Sequence, residues 1–163
     1  MDGNRRFAER LALPTMEGHS FGYSKLLEAF EWCLELGVQC VSVYAFSVDN
    51  FKRSALEVEA LMDLACAKFA LMMDQQSSLR SQGVRVCVLG RLDLLPANVR
   101  EAAKRVVDAT KDYTGPRLNI CFAYSSAVEM LAGTEARTAG LEEKEADDFG
   151  DYLYTKVRGR RVA

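Results

Sequence analysis

Apolar residues recur along this chain at two different intervals, and their alternation outlines a fold. Leu26, Leu27, Phe30, Cys33 and Leu34 fall three and four apart, one face of a helix. Gly18-His19-Ser20-Phe21-Gly22 introduces that helix, and Gly37 ends it just beyond Leu36. Val38 to Phe46 is instead a continuous β-branched and aromatic run, the pattern of a buried strand. Ser47-Val48-Asp49-Asn50-Phe51-Lys52-Arg53 reads as a loop at its C-terminal end, and Ser54-x-x-Glu57 is a capping box that opens a second helix. Its face carries Leu56, Ala60, Leu61, Leu64, Ala65, Lys68, Phe69 and Met72, and it is expected to run to about Gln82, as the longest element, with Gly83 as its stop. Val84 to Leu89 and Leu118 to Tyr124 are two further strand-like runs. Pro96 suits the first turn of a helix reaching about Lys111, and Ser125 or Ser126 can cap another ahead of Glu129. Glu9 to Glu17, polar and broken by Pro14, reads as a short helix or loop.

Strand and helix thus alternate three times, which predicts an α/β fold with a parallel sheet flanked by helices. This organisation covers residues 1–132. From Gly133 the periodicity degrades. Leu141 to Asp151 is dominated by acidic residues and Lys156 to Arg161 by basic ones, so 133–163 is expected to be a divergent tail, frayed or disordered.

Composition narrows the function more by exclusion than by suggestion. The 163 residues, 49% hydrophobic and 27% charged, suit one globular domain with a real core. A net charge of −2 implies neither nucleic acid nor an acidic membrane surface as a partner. No apolar run approaches the roughly 18 residues of a membrane span, and the first residues lack the apolar core of a secretory signal. Five scattered cysteines without a C-x-x-C pair, together with a single histidine, argue against a zinc site. The cysteines are expected to be buried small apolar residues in a reducing compartment.

Open parallel sheets bind ligands beyond the C-terminal ends of their strands. Ser47 to Arg53, Gly90-Arg91 and Tyr124-Ser125-Ser126 stand there. The densest chemistry lies at Met1-Asp2-Gly3-Asn4-Arg5-Arg6-Phe7-Ala8. Asp2 offers a carboxylate to a divalent cation, Gly3 permits close backbone approach, and Asn4, Arg5 and Arg6 form a cradle suited to a diphosphate. Gly18-His19, placed just before a helix, is a further anion contact. Neither G-x-x-x-x-G-K-[ST] nor G-x-G-x-x-G is present. The Leu-, Met-, Phe- and Ala-rich helix faces either pack on the sheet as core or, in part, line a long apolar channel.

These motifs coincide with one family. Met1 to Ala8, Glu17-Gly18-His19 with Gly22, Tyr44-Ala45-Phe46-Ser47-x-Asp49-Asn50-Phe51-Lys52-Arg53-Ser54 with Glu57-Val58, and Leu118-Asn119-Ile120-Cys121-Phe122-Ala123-Tyr124 resemble the cis-prenyltransferases. The wording is nearest to the eukaryotic dehydrodolichyl diphosphate synthase catalytic subunits, and the resemblance covers about residues 1 to 131 in order and spacing. It implies condensation of isopentenyl diphosphate onto an allylic diphosphate such as farnesyl diphosphate, with Mg²⁺, for dolichol-type polyprenyl synthesis. Asp2 would hold Mg²⁺ and assist departure of the allylic diphosphate. Gly3, Asn4, Arg5, Arg6 and His19 would bind that diphosphate. Ser47, Asn50 and Arg53 would line the centre of the site, with Asn50 helping to remove a proton from isopentenyl diphosphate. Phe7, Ala45, Phe51, Leu61 and Leu64 would contribute to an apolar cleft for the growing chain. The family further implies a homo- or hetero-oligomer with a cis-prenyltransferase-like accessory subunit, and a cytoplasmic site or a peripheral one on the endoplasmic reticulum membrane.

The sequence also departs from the family pattern. The strand that precedes the Met-Asp-Gly-Asn motif and the later Arg-x-Ser-Gly-Glu-x-Arg-x-Ser stretch are not found in it, Arg91 replaces a usual Asp, and Ala127 replaces a usual Arg. The expectation is a partial domain, lacking the first strand and the C-terminal third. Alone it would have little or no activity, and the alternative function is an inactive fragment or isoform that binds an allylic diphosphate or a partner subunit.

Overall fold

Three strands, β1 (Cys40–Ser47), β2 (Arg85–Leu89) and β3 (Arg117–Tyr124), run parallel in the order β1-β3-β2 in the computed structural model, which describes residues 3–74, 78–139 and 153–155. β3 is buried from Leu118 to Ala123, as its mainly apolar run and central place require. Val43 faces Ile120 across one ladder, and Val86 and Val88 face Leu118 and Ile120 across the other. The register shifts between Tyr44 and Phe46, so that Ala45 and Phe46, though adjacent in sequence, line the same cavity. Asn119, buried in mid-strand, is satisfied because its amide donates to Ser42 Oγ at 3.1 Å and reaches Cys40 Sγ at 3.4 Å.

The helices are α1 (Asn4–Arg10), α2 (Thr15–Glu35), α3 (Ala55–Met72), a single turn α4 (Ser78–Ser81), α5 (Ala97–Thr110) and α6 (Ser126–Ala139). α5 packs on α3 and β2 through Val99, Ala102, Ala103 and Val106. An aromatic cluster joins strands to helices: Phe46 stacks on Phe122 at 5.2 Å, with Phe51 and Phe69 edge-on beside them. The parallel sheet with flanking helices is therefore as the periodicity predicts.

Several boundaries differ from expectation, each for a physical reason. The helix expected to reach Gln82 stops at Met72 after 18 residues, leaving the 21-residue α2 as the longer. Its apolar face ends there, where the sequence turns polar from Asp74 on. α2 starts at Thr15, with Pro14 at its N-cap, so Gly18, His19 and Gly22 lie inside its opening turns rather than ahead of them. The Asn4 to Arg10 stretch is itself a helix, and the loop after β1 is a 3₁₀ turn, Val48–Lys52. α6 extends past Gly133 to Ala139, while residues 140–152 and 156–163 of the expected tail lie outside the described residues. Of the cysteines, Cys121 is buried but Cys40 is exposed on the outer strand, contrary to the general expectation of burial.

What joins α1 to the rest is a notch made by two glycines one turn apart on α2. A Cβ at Gly18 would stand 2.3 Å from the Asn4 carbonyl oxygen, and one at Gly22 would stand 2.4 Å from Asn4 Oδ1. Neither backbone could approach so closely past a side chain. The sign of a substitution there is consequently reversed. Alanine normally stabilises a helix interior relative to glycine by roughly 0.5–1 kcal/mol. Gly18→Ala should instead destabilise by about 1–3 kcal/mol through overpacking, read as a lower thermal midpoint. A raised midpoint would show that the notch does not exist.

Candidate functional site

The notch sets Asn4, Arg5 and Arg6 opposite His19, and the 3₁₀ turn after β1 brings Arg53 to the same place. Gly3, Asn4, Arg5, Arg6, Glu9, His19 and Arg53 line one polar cleft of about 330 Å³. Gly3 enters α1 with φ of +85°, a conformation that suits glycine. Beside the cleft, between α2, α3 and the sheet, lies an apolar cavity of about 120 Å³ that Ala45, Leu61 and Leu64 help to line. His19 lines both.

Charge in the cleft is held in a defined arrangement by Glu57. Arg53 Nη1 donates to Glu57 Oε1 at 2.9 Å, with both side chains about three-quarters buried, and Arg5 Nε stands 3.8 Å from the same oxygen. Glu57 is itself fixed at the start of α3, where its N–H donates to Ser54 Oγ at 3.3 Å, one of the two bonds of a capping box, while its carboxylate turns to the arginines. One carboxylate thus serves two guanidinium groups, leaving the cleft net positive among its described side chains.

His19 is tuned by the same surroundings. Burial first, and then the positive charge of Arg53, lowers its pKa below the ordinary histidine value, with Arg5 adding to the effect and Glu57 opposing it. The Asn4 amide lies 3.5 Å from Nδ1, whereas Nε2 is buried without a hydrogen-bonding partner among the described residues. If Nδ1 accepts from Asn4, Nε2 carries the proton. An oxygen of a bound anion would satisfy that donor.

Other residues singled out by sequence fall elsewhere. Ser47 and Asn50 bond each other in the turn: Ser47 N–H donates to Asn50 Oδ1 at 2.9 Å, and Asp49 N–H donates to Ser47 Oγ at 3.1 Å. They buttress the loop carrying Arg53 and do not line the cleft. Phe7 is partly exposed and packs edge-on to Phe21 at 5.9 Å, outside the apolar cavity. Phe51 also lies outside it, against Phe46 and in a hollow with Val58 and Met62. Tyr124 donates to the buried carboxylate of Glu129 at 2.5 Å, and burial followed by that bond pushes its phenol well up. Arg91 pairs with Asp93 at 2.7 Å. Asp2 lies outside the described residues.

Sequence reasoning missed Glu9 and the part played by Glu57. The Arg53-to-Glu57 spacing of four was a readable signal for the second, and the equal Arg5-to-Glu9 spacing was one for the first. Among the described residues no group of three metal-ligating side chains comes together. The donor set of the cleft is that of an anion site.

A parallel α/β domain with a cationic cleft opening beside an apolar cavity defines a protein that can receive an anionic head and a hydrocarbon tail together. Residues 1–161 match the family described as "Putative undecaprenyl diphosphate synthase". The human dehydrodolichyl diphosphate synthase complex subunit DHDDS is 47% identical over 158 residues, 96% of this chain and 47% of that one. The tritrans,polycis-undecaprenyl-diphosphate synthase (geranylgeranyl-diphosphate specific) of Thermococcus kodakarensis is 50% identical over 130 residues, 80% of this chain and 49% of that one. The fold is shared with lavandulyl diphosphate synthase from Lavandula x intermedia, at a TM-score of 0.85 and 21% identity over 96% of this chain and 69% of that one. The chain belongs to the cis-prenyltransferase family of undecaprenyl and dehydrodolichyl diphosphate synthases. It spans about half the length of the curated relatives it matches.

Because the chain has one histidine, its imidazole gives one unambiguous proton-NMR titration. The His19 midpoint should lie below about 6.5 in the free protein, and should rise when inorganic pyrophosphate is added, since a bound anion favours the imidazolium. A midpoint at the ordinary value, unmoved by pyrophosphate, would contradict the environment described.

Proposed function

We propose that this chain carries the allylic-diphosphate half of a cis-polyprenyl diphosphate synthase. Such an enzyme condenses isopentenyl diphosphate onto an allylic diphosphate such as farnesyl diphosphate. The observation that carries the reading is His19, shared by the cationic cleft and the apolar cavity, so that head and tail sites meet at one residue. Arg5, Arg6 and Arg53 would neutralise the diphosphate as charge develops on it, from positions already organised. His19 Nε2 would donate to one of its oxygens. The apolar walls would exclude water from an allylic centre that would otherwise be hydrolysed.

Asn50 would orient isopentenyl diphosphate near the proton it loses, through the amide nitrogen that its bond with Ser47 leaves unengaged by that contact. Asp2 would hold Mg²⁺ together with phosphate oxygens of the substrate, since that ion commonly takes one or two carboxylates plus phosphate. The ion would supply charge to the departing diphosphate. An accessory subunit related to the family would complete the assembly, acting at the endoplasmic reticulum surface. No helix among the described residues is long and apolar enough to cross a membrane.

Calorimetry tests the head site directly. Inorganic pyrophosphate and farnesyl diphosphate should bind, and Arg53→Ala should weaken both by roughly 10-fold or more, the worth of a charge-assisted hydrogen bond. No binding, or equal binding by the variant, would refute the assignment. In a separate assay with farnesyl diphosphate and Mg²⁺, this chain alone should incorporate little or no radiolabelled isopentenyl diphosphate, and Asp2→Ala should abolish whatever incorporation there is. Binding without incorporation is the expected outcome, and robust incorporation by this chain alone would overturn the half-site reading while leaving the head site standing.

A further inference from the structure

Lys68 is a cation in a lining that otherwise looks made for hydrocarbon. Among the described residues it is the one lysine or arginine that lines the apolar cavity, whose walls come from α2, α3 and the inner face of the sheet. It is half-buried, and its Nζ stands 4.4 Å from the centroid of the Tyr23 ring, so it reaches from α3 to α2. Tyr23 is half-buried as well, and burial pushes its phenol upward, so the ring stays neutral and offers its face to the ammonium.

The position of this contact matters. Tyr23 is one turn beyond His19 on α2, about 6 Å along the axis, and Leu26, Leu27 and Phe30 follow further along the same lining. The contact therefore stands between the cleft end of the cavity and its far wall. Cavities of roughly 150 Å³ accept benzene, so the 120 Å³ present here holds about one five-carbon unit. A longer tail has to widen the space between α2 and α3, and Lys68–Tyr23 ties those walls together.

We propose that Lys68 and Tyr23 form a latch across the apolar cavity that sets its selectivity for the length of the allylic tail, closed over a five-carbon unit and displaced by longer ones. This rests on the allylic-diphosphate reading of the cleft. Opening the latch needs no charge left in hydrocarbon, because the flexible lysine stem can carry the ammonium out to solvent. What opening loses is the cation–π contact, and longer tails bind less tightly by that amount.

The test compares inorganic pyrophosphate, dimethylallyl diphosphate and farnesyl diphosphate by calorimetry on the full chain and on Lys68→Met, which keeps the volume and stem but removes the charge. Lys68→Met should tighten farnesyl diphosphate by about 3- to 10-fold, with pyrophosphate and dimethylallyl diphosphate unchanged within about twofold. Lys68→Arg, which keeps a cation over the ring, should behave as the parent. Tyr23→Leu should show the same length-dependent gain, and the double variant should show no more than either single one, because both remove one contact. An unchanged ratio of farnesyl to dimethylallyl affinity would overturn the latch while leaving the cleft intact. Weaker farnesyl binding by Lys68→Met would overturn it too, as a lysine that supports the tail instead of restraining it. Failure of the parent chain to bind pyrophosphate at all would refute the cleft reading, and the latch with it.

Discussion

The closeness with which α1 lies on α2 is the constraint on which the cleft depends. Gly18 and Gly22 let the Asn4 backbone and amide settle into α2 at distances no side chain would allow. That contact brings Arg5 and Arg6 of one helix to His19 of the other, and Arg5 onward to Glu57 at the head of α3. Residues of three helices and of the turn before α3 thus meet at one point, and the point is cationic. Concentrating guanidinium groups costs electrostatic free energy that Glu57 offsets in part. A doubly charged ligand head would offset the remainder.

Joining that point to hydrocarbon is the work of the sheet. The register shift in β1 puts Ala45 and Phe46 together on the inner face, where α2 and α3 stand over them as walls. His19 belongs to both surfaces, and its lowered pKa records the mixture: burial from one side, guanidinium charge from the other. A ligand that satisfies both must be amphipathic along its length. This requirement, more than any single residue, supports the proposal of an allylic diphosphate as the occupant.

Much of this was legible in the sequence because it follows from local pattern. The three strands are short apolar runs, the Ser54–Glu57 cap is a fixed spacing, and the parallel order follows from strand–helix alternation. The residues of the cleft were legible for another reason: Asn4, Arg5, Arg6, His19 and Arg53 sit in motifs whose spacing is shared with a family. Less visible was whatever depends on tertiary approach. Gly18 and Gly22 read as a break before a helix, because glycine's local meaning is a turn, while their use is contact between helices. Phe7 and Phe51 were placed in the apolar cleft by the family resemblance alone, yet each packs against another ring, Phe21 and Phe46. Glu9 stands four residues after Arg5, a spacing that acquires meaning only once Asn4–Arg10 is known to be a helix.

The cationic cleft and the apolar cavity meet at His19 as one continuous site. A crystal structure of this chain with a non-hydrolysable farnesyl thiodiphosphate tests it most directly. The diphosphate should lie against Arg5, Arg6, Arg53 and His19 Nε2, with the tail running past Tyr23 along Leu61 and Leu64. A diphosphate seated away from these arginines, or a tail lying on the outer surface beside Phe7 and Phe21, would contradict it.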